Sequence, residues 1–222
     1  MDTGLSSVRL RVAAAAARSG RAPASVVVVA VSKSASDGAV LAAHEAGVRD
    51  FGENRAHDLT DRVPRLPGDI RWHFVGRLQT NKVPRVRPVV HLLHSLDRLE
   101  LASSWVRGGG VSPPALVQVN VSGEPQKAGI FPGDAAPLID AALGMGIDVR
   151  GLMTIPPLAT SGEAARPHFA ALRELRDRLR GEFPTLTELS MGMTDDFEVA
   201  VEEGATILRV GRAIFRVSPE EG

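Results

Sequence analysis

Residues 25–34 read SVVVVAVSKS, five valines and an alanine in unbroken succession between two serines. A short β-branched run without polar alternation predicts a strand buried on both faces, here 26–32. The run stops at Ser32 and Lys33 follows at once. An unpaired lysine is costly inside a protein, and the end of a buried strand facing a pocket suits it better. There desolvation would favour the neutral amine, the nucleophile that condenses with an aldehyde. The alternative is a lysine that snorkels out of the core and does no chemistry. Most strand-end lysines are of that kind, and this stretch alone leaves both readings open.

Outward from that run the pattern repeats. Strands are expected at 48–51, 70–75, 89–94, 115–121, 148–153, 187–189 and 206–210. Helices are expected at 37–46, 53–63, 81–86, 97–106, 132–143, 164–181 and 195–203, with an extra one ahead of the first strand at 5–18. Eight strands alternating with helices predict an α/β fold, a (β/α)8 TIM barrel. A doubly wound sheet is the rival, but no Gly-x-Gly-x-x-Gly follows the first strand. No linker divides the chain, so one domain over residues 1–222 is expected. The long helix 164–181 alternates arginine and glutamate and reads as a solvated face. The end from Ser218 is polar and reads as a frayed tail. Barrel chemistry sits at the C-terminal strand ends. Those positions hold Lys33, Gly52 to Asn54, His73, His94, Asn120, Met153, Ser190 and Arg209.

Composition narrows the function classes. Lys+Arg and Asp+Glu are 26 each, so no nucleic-acid footprint and no polybasic membrane segment is expected. With no cysteine, disulfides, thiolate metal sites and a cysteine nucleophile are excluded. Neither a secretory signal nor a membrane-spanning run is evident, and a cytoplasmic protein is expected. The chain also lacks tyrosine.

The segment SMGMTDD, 190–196, follows the seventh strand and opens a helix. Hydroxyls, a glycine that exposes backbone N–H groups and a helix N-terminus suit a phosphate; an ordinary capped helix start has the same look. The eighth strand ends in Arg209, Val210, Gly211 and Arg212, and loops after strands seven and eight are the usual phosphate position of this barrel. A phosphate cup opposite an aldehyde-binding lysine points to pyridoxal 5′-phosphate, whose pyridine nitrogen also needs a partner. Arg209 is the candidate. A guanidinium donates and does not accept, so it would leave that nitrogen unprotonated and weaken the electron sink.

AVSK at 30–33, FGEN at 51–54, WHFVG at 72–76, LQTNK at 78–82, Asn120, Lys127 and Gly129 in N-x6-K-x-G spacing, GLM at 151–153, SMGMTDD at 190–196 and RVGRAIF at 209–215 occur in that order. The ordered set resembles the YggS/PROSC family of pyridoxal phosphate homeostasis proteins over nearly the whole chain. The resemblance implies a fold-type III barrel, similar to the N-terminal domain of alanine racemase, with the cofactor held as a Schiff base on Lys33. By the same resemblance Ser190, Gly192, Thr194, Gly211 and Arg212 lie around the phosphate, Arg209 faces the pyridine nitrogen, and Asn54 and Met153 lie near the ring. Thr194 stands where the family usually has serine and keeps the hydroxyl. Ala205 replaces a common serine or threonine, which removes a supporting hydrogen bond. Arg216 follows Phe215 where glycine is usual.

Other residues have two readings each. His73 is a strand-end acid or base, or a satisfied histidine. His91 and His94, three apart on one strand, are expected on opposite faces. The histidines lack metal-ligand spacing, and no metal is expected. Gln79, Asn81 and Lys82 match a family motif at the pocket rim, or form a polar helix start. Lys127 is a second basic group over the cofactor, a transfer lysine, or a solvated loop lysine.

Function divides into two main classes. The resemblance favours a carrier or regulator that binds pyridoxal 5′-phosphate and passes it to apo-enzymes; a monomer is expected. The alternative is an amino-acid racemase, which wants acid/base groups on both faces of the cofactor. Alanine racemases use a tyrosine for the second face, and they carry a second β-domain for which 222 residues leave no room. A barrel aldolase acting on a phosphorylated sugar through Lys33 is a third reading; it would show no visible cofactor band.

Overall fold

The computed structural model describes residues 3–157 and 161–215. Eight parallel strands follow one another around a closed barrel. They are β1 (Val27–Val31), β2 (Asp50–Glu53), β3 (Arg71–Phe74), β4 (Leu92–Leu96), β5 (Ala115–Gln118), β6 (Val149–Met153), β7 (Glu188–Ser190) and β8 (Ile207–Val210). The ring is closed by β1 on β8, from Val27 opposite Ile207 to Ala30 opposite Val210. Parallel neighbours require crossovers, and helices supply them: α2 (Asp37–Glu45), α3 (Ala56–Arg62), α4 (Val83–Val86), α5 (Leu99–Val106), α6 (Ala135–Gly144), α7 (Gly162–Leu179) and α8 (Phe197–Glu202). The extra helix is α1 (Thr3–Arg18). The fold is the expected TIM barrel. Arg216, the tail from Ser218 and positions 158–160 of the proline-containing loop lie outside the described residues.

Strand alternation builds two cores. Outward side chains such as Phe51 and Phe74 pack with Trp105, Phe169 and Phe197 of the helices, all fully buried. Inside the barrel Val29, Leu92, Leu116, Met153 and Ile207 form an apolar plug. On α7 the apolar stripe Ala165, Phe169, Leu172 and Leu175 faces the barrel. Its charges are not simply solvated. Arg166 bridges Glu163, Glu202 and Glu203, and Arg18 of α1 joins the same Glu202, so the three helices are tied together.

Several boundaries move. The first strand ends at Val31, and Val27 is 40% exposed at the N-terminal end of the barrel, so burial on both faces holds only for its middle. The second strand runs to Glu53, and its helix starts only at Ala56. The fourth strand begins at Leu92, so His91 precedes it, exposed, while His94 lies mid-strand and fully buried. That pair is therefore separated by the strand's start rather than by its two faces.

Candidate functional site

A cavity of about 630 Å³ opens at the C-terminal end of the barrel, a size suited to a small cofactor. Lys33, Asn54, Thr194, Arg209, Gly211 and Arg212 all line it. Lys33 sits two residues beyond β1 and is exposed, so the structure does not supply the burial expected for its amine. The backbone that carries it is held from outside the barrel. Arg62 donates through Nη1 to the Ser32 carbonyl (2.9 Å) and Glu53 Oε1 (2.8 Å), and through Nη2 to the Ala35 carbonyl. Glu53 Oε1 also accepts from Ser32 Oγ at 2.7 Å. Burial pushes the Glu53 carboxyl up, against the hydrogen bond from Ser32 and the charge of Arg62. Glu53 and Arg62 thus hold the exit of β1, a role that sequence spacing does not reveal.

Arg209 is buried, yet it lines the cavity. Its Nη1 donates to Ser190 Oγ (2.6 Å) and its Nη2 to the Thr154 carbonyl (2.7 Å). Burial lowers its pKa to about 10, with the charge of Asp196 opposing. Ser190 is fully buried, and its hydroxyl meets Arg209 and His94 in the barrel interior. Met153 belongs to the apolar plug. Neither Ser190, Met153 nor Gly192 is among the residues lining the cavity.

Gly192 has φ +93°, and a Cβ there would come 2.5 Å from the Ala200 Cβ. Its role is to let the turn after β7 pass under α8. Gly192→Ala should therefore destabilise by about 2–4 kcal/mol, combining left-handed strain with overpacking. Thermal unfolding should show Tm lower by roughly 4–16 °C for a chain of this size; an unchanged Tm would remove this account.

The phosphate cup is partly as expected. Gly211 brings backbone against β1, since a Cβ there would lie 2.9 Å from the Val31 carbonyl oxygen. Thr194 and Arg212 present a hydroxyl and a guanidinium, and Arg212 pairs with Asp195 at the exposed rim. The Met193 N–H is already taken, donating to Asp196 Oδ1 at 2.6 Å. Burial pushes the Asp196 carboxyl up, opposed by that N–H and by Arg209.

His73 and His94 face each other inside the barrel, Nδ1 to Nε2 at 2.9 Å, and His73 Nε2 meets Asp50 Oδ1 at 3.0 Å. His73 is thus a satisfied interior histidine, and His94 is not a strand-end residue. Asn120 donates to the Glu124 carbonyl and accepts from Ser122, shaping the loop after β5. On that loop Lys127 pairs with Glu124 at 3.1 Å. Gln79, Asn81, Lys82 and Lys127 are not among the cavity's lining residues.

The donor set fits pyridoxal 5′-phosphate. An amine, two guanidinium groups, a hydroxyl and a close-packed glycine backbone share one cavity. Asn54 Oδ1 is buried at its wall without a partner, the kind of orphan a polar ring substituent would satisfy.

Residues 5–219 match the family described as alanine racemase, N-terminal domain. A pyridoxal phosphate homeostasis protein of Aquifex aeolicus is 41% identical over 217 residues, 95% of each chain. The chain belongs to the family of pyridoxal phosphate homeostasis proteins. A solved relative, PipY of Synechococcus elongatus with PLP bound, is 34% identical, covers 94% of this chain and 99% of its own, and superimposes with a TM-score of 0.79. A structure of an unknown protein from Bifidobacterium adolescentis is 36% identical over 96% of this chain and 93% of its own, with a TM-score of 0.90. Among the family departures, Thr194 keeps its hydroxyl at the cavity wall, and Ala205 is fully buried. Among the described residues no helix is long and apolar enough to cross a membrane.

Proposed function

We propose that this chain binds pyridoxal 5′-phosphate in the barrel-end cavity and acts in its homeostasis, by storing, buffering or delivering it to apo-enzymes. The observation that carries this is one cavity holding Lys33, Arg209, Thr194 and Arg212 in a chain of this family. When bound, the cofactor supplies an aldehyde that combines reversibly with an amine and a phosphate that draws hydrogen-bond donors. Lys33 contributes the amine from an exposed turn, where competing amines can reach it. Thr194, the Gly211 backbone and Arg212 would hold the anion. Arg209 stays protonated at neutral pH and would offer its remaining N–H donors to the ring nitrogen, to which it would not give up a proton. Asn54 Oδ1, buried without a partner at the wall, would meet a polar ring substituent. The proposal extends to a monomeric, cytoplasmic protein.

It also extends to a binder without ordinary turnover. Proton transfer at an amino acid's Cα wants acid/base groups on both faces. The chain has no tyrosine, and Asp196 is committed to the Met193 N–H. Cα–deuterium exchange of L-alanine in heavy water, with Lys33→Ala as blank, tests this. Exchange no faster than free cofactor is expected. Wild-type exchange or racemization at about 1 s⁻¹ or faster, the low end of ordinary enzymes, would instead establish a racemase-like enzyme.

A further inference from the structure

A continuous hydrogen-bonded line of side chains runs through the barrel interior, from the cavity to the opposite end. Arg209 Nη1 meets Ser190 Oγ at 2.6 Å, Ser190 Oγ meets His94 Nδ1 at 2.8 Å, and His94 Nε2 meets His73 Nδ1 at 2.9 Å. His73 Nε2 then meets Asp50 Oδ1 at 3.0 Å. Arg71 closes the line, with Nε donating to Asp50 Oδ1 at 2.8 Å and Nη2 to Oδ2 at 2.5 Å. Asp50, His73, His94, Ser190 and Arg209 are 8% exposed or less. Asp50 also lines a second cavity, of about 320 Å³, at the N-terminal end of the barrel. The five residues come from five different strands, and the reading of the cavity given above makes no use of the first four.

The direction of each bond follows from the ends. Asp50 is desolvated, but hydrogen bonds from Arg71 and His73 outweigh that and hold its carboxyl well below the usual range. As a carboxylate it only accepts, so His73 Nε2 carries a proton and donates. Burial, with His73 and Arg209 beside it, holds the His94 imidazole well below its ordinary value, so His94 is neutral. If His73 is neutral as well, one arrangement is consistent: His94 Nε2–H donates to His73 Nδ1, and His94 Nδ1 accepts from the Ser190 hydroxyl. The Ser190 proton is thereby turned away from Arg209, and its lone pairs face the guanidinium. Without that ordering the hydroxyl proton is free to point at Arg209, whose other acceptor is the Thr154 carbonyl. A buried cation whose hydrogen bonds go to neutral oxygens, with Asp196 adding only its charge, depends on those oxygens being correctly turned.

We infer that Asp50, His73, His94 and Ser190 are positioning residues for Arg209: an oriented relay, anchored on the Asp50–Arg71 pair, that fixes the guanidinium at the cavity floor. The inference rests on the proposed cofactor reading only where it concerns affinity. The relay itself belongs to the ligand-free chain.

The test has two arms. Nitrogen-15 NMR of the ligand-free wild type should find His73 and His94 both neutral and protonated at Nε2. In Asp50→Asn, whose amide can donate or accept, His73 should show a mixture of tautomers. In the second arm, absorbance titration with pyridoxal 5′-phosphate should find Kd raised roughly tenfold, about 1.4 kcal/mol, in folded Asp50→Asn and in Ser190→Ala. Ser190→Thr, which keeps the hydroxyl, should recover most of the affinity lost in Ser190→Ala. An Nδ1–H tautomer at either wild-type histidine would overturn the relay. So would Kd within about twofold of wild type in both Asp50→Asn and Ser190→Ala. If Asp50→Asn does not fold, the wild-type tautomers and the Ser190 pair decide. If the wild type itself binds no cofactor, the proposed function fails while the tautomer arm still judges the relay.

Discussion

Lys33→Ala should abolish covalent capture of pyridoxal 5′-phosphate. The wild-type chain, mixed with cofactor and reduced with borohydride, should gain one phosphopyridoxyl mass, mapped to the peptide carrying Lys33. The substituted chain should gain none at equal exposure, and its cofactor affinity should fall by on the order of a hundredfold or more, about 2.7 kcal/mol. The chain has three lysines, so the assignment is narrow. Lys33 lines the cavity with Arg209 and Thr194. Lys127 is engaged by Glu124, and Lys82 is exposed at the end of a short 3-10 turn before α4. The clamp of Arg62 and Glu53 holds the Lys33 turn in place whether or not the side chain is present, so Lys33→Ala should fold normally. A dominant adduct on Lys82 or Lys127 would reassign the site.

Pyridoxal without its phosphate should bind at least about a hundredfold more weakly than pyridoxal 5′-phosphate. The donors concerned are the Thr194 hydroxyl, the backbone around Gly211 and the Arg212 guanidinium. Leaving two such bonds without their anion costs about 3–6 kcal/mol, which sets the hundredfold as a lower bound. Ser190 contributes only through Arg209, because its hydroxyl is spent inside the barrel. Arg212 is exposed and paired with Asp195, an arrangement of small intrinsic worth that an anion can replace. Titration of the ligand-free chain with the two vitamers measures the ratio directly. Equal affinities would reduce the cup to an ordinary helix start.

What the sequence determined by itself is local. The valine run at 26–31, the alternation of apolar runs with helical stretches, and the glycine-bearing motifs at 190–196 and 209–212 are all written in neighbouring residues. Strand and helix periods depend on neighbours only, so the barrel and the strand-end positions of Lys33 and Arg209 were legible from them; Asn54, Thr194, Gly211 and Arg212 were legible through motifs that resemble the family's. What tertiary structure decided is which inward-pointing residues meet. Asp50, His73, His94 and Ser190 are polar residues in apolar strands, a visible signal that each needs a partner. Their separations in the chain, up to 96 residues between His94 and Ser190, carry no information about which partner. Barrel closure and strand stagger set that choice, because they bring alternate residues of five strands to one axis. The same closure moved Ser190 and Met153 from the cavity wall into the interior. It also left Lys33 on an exposed turn held by Arg62, since the strand ends where its pairing with β2 ends, at Val31 opposite Gly52.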